Sequence, residues 1–192
     1  MARSGDVIEN PINKERIIFR QTASDTGGAL LQYEDLLQAG GLGPIEHIHP
    51  YQEERVQVLS GAMEVRLDGR AQSVPVGQEV VIPPGAAHTW QNTGDDELHL
   101  RVELRPALRY ETFIETVFGL ARDGKTNALG VPNVWQVGVL YRGFGGEYIL
   151  SRIPPIAQKG IFTVLGLVGR RLGYRHWYPQ YSPAGPVELR KR

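Results

Sequence analysis

The chain has 192 residues, near the usual size of one domain and enough to bury a real core. Lysine plus arginine and aspartate plus glutamate each number 21, so the formal net charge is zero, which argues against nucleic-acid binding through phosphate contacts. Cysteine is absent, which excludes disulfides, iron–sulfur clusters and thiol catalysis.

The opening residues contain no apolar leader, so no secretory signal is expected and a cytoplasmic setting is the default. From there to about Pro106 short runs with alternating polarity dominate: residues 16–21, 29–37, 56–67 and 98–104. Turn signals separate them, among them Asp25-Thr26-Gly27-Gly28, Asp68-Gly69 and Thr93-Gly94-Asp95-Asp96. Many short strands joined by regular turns predict a mainly β sandwich or barrel over residues 1–106.

Beyond Pro106 the period becomes helical, which predicts a C-terminal α-helical extension over residues 107–192 packed on the barrel as one compact unit. Residues 109–122 place Tyr110, Phe113, Ile114, Val117, Phe118 and Leu120 at helical spacing, with Arg122-Asp123-Gly124-Lys125 as the stop. Residues 132–144 read as a second helix with Trp135, Val137, Val139, Leu140 and Phe144 as its apolar content. Pro154-Pro155 open a third, running to about Leu172 before Gly173 ends it. Its apolar stretch, 161–168, is too short to span a bilayer. It is expected as a packing or dimer helix rather than one lying on a membrane or over the barrel mouth. Arg170, Arg171, Arg175 and His176 either receive an anion or simply complement the helix dipole, and Arg190-Lys191-Arg192 reads as a solvated tail.

Two ordered blocks carry the chemistry. In the first, Gly41 is followed after five residues by His47-Ile48-His49, after four more by Glu54 and after six by Gly61. In the second, Gly77 is followed after five residues by Pro83-Pro84-Gly85, after two by His88 and after three by Asn92. Residues two apart on a strand face the same side, so Ile45, His47 and His49 share a face, and His88 shares one with Trp90 and Asn92. Glu54 falls in phase with Val56 and Val58 and therefore points into the interior, where an unpartnered carboxylate is costly and a cation removes the cost. The expectation is a metal site of His47, His49, Glu54 and His88 at the mouth of a barrel.

These blocks resemble the two signature motifs of the cupin family, G-x5-H-x-H-x3-4-E-x6-G and G-x5-P-x-G-x2-H-x3-N, with every specified position filled. The resemblance implies a cupin-type β-barrel (a double-stranded β-helix or jelly roll, RmlC-like) of the single-cupin bacterial kind with a helical C-terminal extension. It implies one divalent transition metal, iron, manganese, nickel, zinc or copper, on the four named ligands. The family holds dioxygenases, isomerases, decarboxylases, storage proteins and sensors, so fold alone does not choose a reaction.

Two functional expectations follow. One is a small metalloenzyme, a metal-dependent dioxygenase or isomerase with oxygen-using or Lewis-acid chemistry on a small metabolite; the other is a non-catalytic module that binds a small molecule or metal. Trp90 and Tyr51 are the substrate-pocket candidates, with Tyr33 beside them and core packing as the alternative for all three. No acid or base is singled out by the pattern; Glu53 and Glu103 are candidates, and His99 is expected to face solvent. The expected partners are a small-molecule ligand and a second copy in a homodimer, with no nucleic acid and no membrane span.

Overall fold

The computed structural model describes residues 2–186; Arg190, Lys191 and Arg192 lie outside the described residues. Ten strands come first: β1 (Val7–Asn10), β2 (Glu15–Gln21), β3 (Leu31–Leu37), β4 (His47–Ile48), β5 (Glu53–Ser60), β6 (Met63–Leu67), β7 (Arg70–Val74), β8 (Glu79–Ile82), β9 (Ala87–Asn92) and β10 (Leu98–Arg105). Then follow α1 (Tyr110–Arg122), α2 (Val134–Gly143), the short β11 (Ile149–Leu150) and α3 (Pro155–Arg171). The strands form two antiparallel sheets, ordered β1-β2-β3-β10-β5-β8 and β11-β4-β9-β6-β7. Together they make a jelly-roll barrel whose edge strand β11 comes from the helical part of the chain.

Strict alternation decides which side chains enter the barrel. Glu54, Val56 and Val58 of β5 are buried while Glu53, Arg55 and Gln57 are not. On β10, Leu98, Leu100, Val102 and Leu104 point in, leaving His99, Arg101 and Glu103 on the outer face. There His99 Nε2 meets Glu34 at 3.0 Å. The run predicted over 56–67 is two strands joined at Gly61, whose φ is +88°. A Cβ on Gly61 would sit 2.8 Å from Leu98 Cα, so the turn needs glycine twice over.

The helices start and stop close to the predicted positions. Asn133 Oδ1 accepts from the backbone of Trp135 and Gln136, each at 3.1 Å, and so caps α2. Gly173, with φ +91°, follows α3. The apolar stretch of α3 packs differently from the expectation of a buried run. Its buried positions are Gln158, Phe162, Gly166 and Gly169, whereas Ile156, Ile161, Val164 and Leu167 are exposed. Small residues set this geometry, because α2 and α3 approach so closely that a Cβ on Gly138 would lie 2.6 Å from Gly166 N. His176 packs on Phe144 at 5.9 Å between ring centroids, while Arg170, Arg171 and Arg175 are exposed.

On α1, Tyr110, Ile114, Phe118 and Leu120 are buried as the periodicity predicts. Glu111 and Glu115 are buried too, on the opposite face. Glu111 Oε2 accepts from Ala23 N at 3.0 Å, and Thr112 Oγ1 donates to Gly185 O at 3.2 Å, so the polar side of α1 is covered by the segments around Ala23 and Gly185.

Candidate metal centre

Both sheets contribute to the centre. His47 on β4 lies directly opposite His88 on β9, while Glu54 reaches across from β5 in the other sheet. His49 stands just past the end of β4, which spans two residues only. The strand is short because Gly43 passes against the carbonyl of Trp90, which a Cβ would meet at 1.9 Å, and Pro44 has no N–H for the ladder. Ile45 consequently sits in the loop, 45% exposed, and does not share the buried face of His47 and His49 as expected.

All four side chains are at most 2% exposed, and their ligand atoms lie within 4.8 Å of one another. His47 Nε2 is 3.1 Å from His49 Nε2, and His88 Nε2 is 2.8 Å from Glu54 Oε2, with His49 Nε2 at 3.7 Å from the same oxygen. Donors about 3 Å apart match the edge of a coordination polyhedron with bonds of about 2.1 Å.

The outer nitrogens fix the chemistry of the inner ones. His47 Nδ1 faces the carbonyl of Ile45 at 2.8 Å, His88 Nδ1 that of Ala86 at 3.1 Å, and His49 Nδ1 that of Glu147 at 3.2 Å. A carbonyl only accepts, so each Nδ1 carries its hydrogen, and neutral His47 and His49 turn the Nε2 lone pair inward. Burial, with His88 and His49 nearby, pushes His47 well below its ordinary 6.5; burial also lowers His49, against the pull of Glu54. Two lone pairs therefore confront each other at 3.1 Å, an arrangement that a cation between them relieves. His88 behaves differently. Burial opposes its charge, but the hydrogen bond and charge of Glu54 prevail and hold it above 6.5. Glu54 Oε1 is buried with no hydrogen-bond partner. The donor set of three imidazoles and one carboxylate fits a divalent transition metal.

Aromatic rings wall the centre. Trp90 stacks on His88 at 6.1 Å, Tyr148 on His47 at 4.3 Å with 15° between planes, and Tyr110 meets His49 edge-on at 5.0 Å. Trp90 and Tyr33 line a cavity of about 100 Å³ together with Tyr110, Phe113, Tyr148 and Glu15. Tyr51 is 62% exposed and lines neither this cavity nor a larger one beside it. Glu53 and Glu103 face outward, paired with Arg55 and Arg105. Neither belongs to the site.

The helical part supplies residues that the strand pattern does not reveal. Arg109 Nε donates to Glu147 Oε1 at 2.7 Å and Arg109 Nη1 to Gly143 O at 2.8 Å, clamping the segment whose carbonyl orients His49. Inside the barrel, Glu15 and Asp35 are carboxyl partners, with Asn13 Nδ2 donating to Glu15 at 3.2 Å. Burial pushes Glu15 up to about 7 and Asp35 well above its ordinary range. Their sequence signal is inward parity on β2 and β3.

A family model described as the cupin domain matches residues 34–104. Protein SchB of Streptomyces halstedii is 46% identical over 61 residues, covering 32% of this chain and 44% of that protein. Polyketide synthase CurC of Streptomyces cyaneus is 41% identical over 61 residues, 32% of this chain and 40% of that protein. The match thus spans less than half the length of these curated relatives. Among solved structures, a predicted oxalate decarboxylase of Thermotoga maritima is 18% identical, with 55% of this chain and 98% of that chain covered at a TM-score of 0.48. The oxalate decarboxylase of Lactobacillus farciminis is 21% identical, covering 54% of this chain and 31% of that chain at a TM-score of 0.47. With both histidine blocks inside the matched segment and two antiparallel sheets built around them, residues 34–104 are a cupin domain, and a helical C-terminal extension follows it.

Proposed function

We propose that His47, His49, Glu54 and His88 bind one divalent transition metal and that the protein is a small metalloenzyme acting on a small molecule held in the adjoining cavity. The observation that carries this reading is the commitment of all three Nδ1 atoms to backbone carbonyls, which aims three Nε2 atoms and a carboxylate at one point. A divalent metal held by these four donors would supply Lewis-acid chemistry or, if redox-active, oxygen chemistry. The protein's own contribution is a dry, aromatic-walled space and a proton reservoir. Trp90, Tyr110 and Tyr148 keep water from the centre, and the Glu15–Asp35 pair holds a proton on the wall of the same cavity. The likeness to CurC, named a polyketide synthase, supports a polyketide-derived substrate.

Elemental analysis of untagged protein purified without chelator tests the reading, run beside His88→Ala and the His47→Ala/His49→Ala double variant. About one equivalent of metal is expected in the wild type, with loss in both variants and little change in circular dichroism. Zinc restricts the chemistry to Lewis-acid steps; iron, manganese, nickel or copper directs the search to oxygen-dependent or isomerising reactions. Absence of metal after reconstitution overturns the enzyme reading in favour of a binding module. We also assign the exposed face of α3, with Ile156, Ile161, Val164 and Leu167, to a homodimer interface.

A further inference from the structure

A second, larger cavity of about 290 Å³ lies between the helical extension and the barrel mouth, at the lower end of the size range of small-molecule sites. Its walls come from all three helices and from the segment around β11, and five of its lining residues are aromatic: Phe113, Tyr141, Phe144, Tyr148 and Phe162. The one amide in the lining is fully engaged. Gln158 Nε2 donates to Leu150 O and Ile153 O, both at 2.6 Å, and its Oε1 accepts from Leu150 N at 3.1 Å. Among the described residues no charged side chain lines it, so a polar body brought here would lose its hydration without replacement. Aromatic walls favour a ring-bearing occupant, which they meet by stacked and edge contacts.

The cavity meets the metal centre through the ring of Tyr148, and none of the four candidate ligands lines it. Ile45, Phe113, Val117, Gly130 and Tyr148 line both it and the smaller space beside the histidines. Tyr148 is the partition, since its ring also stacks on His47. Ile45, misplaced by simple strand parity, is exposed because it belongs to this wall. Phe113 and Val117, one turn apart on α1, are half-buried for the same reason, while Tyr110, Ile114 and Phe118 on the same helix are buried.

We infer that this cavity holds the apolar, ring-bearing body of the substrate, whose oxygen-bearing end extends past Tyr148 to the centre formed by His47, His49, Glu54 and His88. The metal-facing half of this inference rests on the function proposed above; the cavity half does not. The barrel thus handles the reacting end and the helices select what is attached to it.

The test compares 2,3-dihydroxynaphthalene with catechol, which carries the same oxygen pair on one ring, as ligands of the Co(II)-loaded protein followed by its visible absorption. Tighter binding of the two-ring ligand by about tenfold or more is expected, from burial of the second ring. Val137→Phe and Leu140→Phe, which narrow the cavity away from the metal ligands, are expected to bring that ratio close to one while keeping the Co(II) stoichiometry. Two filling variants are used so that one that fails to fold, judged by thermal melting, leaves the other to decide. Equal binding of the two ligands by the wild type, or an undiminished ratio in a folded filled variant, overturns the inference. If Co(II) fails to bind, the metal reading falls separately. Binding of 2-naphthol to metal-free protein then decides the cavity, with saturable binding weakened by filling expected and no binding overturning it.

Discussion

Each imidazole of the centre is held at Nδ1 by a backbone carbonyl, so the backbone itself orients the three rings. A second residue-level consequence lies at Glu15 and Asp35. Glu15 ionises at about 7 in the folded protein against an ordinary 4.5, and Asp35 is raised in the same sense. Between those values the unfolded chain gives up its proton first, so the folded state binds more protons and stability falls as pH rises from about 4.5 to about 7. A shift of this size corresponds to roughly 3 kcal/mol for an isolated group. Metal-free wild type is therefore expected to lose melting temperature relative to Glu15→Gln as pH rises through that window, with Glu115, also raised to about 7 by burial, acting in the same sense and His47 and His49, lowered by burial, in the opposite sense in both proteins. A slope identical in wild type and Glu15→Gln would remove the pair from this role. The ligand positions were legible in the sequence because spacing and strand parity place Glu54 and His88 on inward faces. Tyr148 and Glu147 were not, since they lie in a segment with glycines at 143, 145 and 146 and no periodicity.

At the scale of elements, α2 and α3 are joined by backbone proximity more than by large side chains. Gly138 faces Gly166, and a Cβ on Gly169 would sit 2.7 Å from Trp135 O. Gly138→Ala is expected to cost about 1–3 kcal/mol by overpacking, read as a lower urea midpoint at unchanged slope. The end of α1 was readable from Arg122-Asp123-Gly124-Lys125 and the limits of α3 from Pro154-Pro155 and Gly173. The packing was not, because an apolar run from 161 to 168 looks buried throughout, while small residues on one face draw α3 to its neighbour and leave the larger ones outside. Arg109, just ahead of α1, ties that helix to the segment after α2 through Glu147 and Gly143. Arg109→Met is expected to lower metal affinity about 10–100-fold by releasing the support of His49, measured by chelator competition, with the fold retained in circular dichroism. Unchanged affinity would show that the Glu147 carbonyl is held without the clamp.

For the whole molecule, the barrel and the extension share a sheet, because β11 pairs with β4 through Ile149 opposite Ile48 and Leu150 opposite His47. The division near Pro106 that composition suggests is thus bridged by hydrogen bonds at a ligand-bearing strand. Light scattering is expected to give a dimer that Val164→Glu converts to a monomer, whereas a monomeric wild type would leave the exposed face of α3 without its assigned partner. The cupin match ends at residue 104, yet the carbonyl that fixes the tautomer of His49 belongs to residue 147 and the ring stacked on His47 to residue 148. Sequence drift in the helices can therefore retune the centre with all four ligands untouched. Two chains identical across the histidine blocks can thus differ in how His47 and His49 are held, through residues a whole helix away.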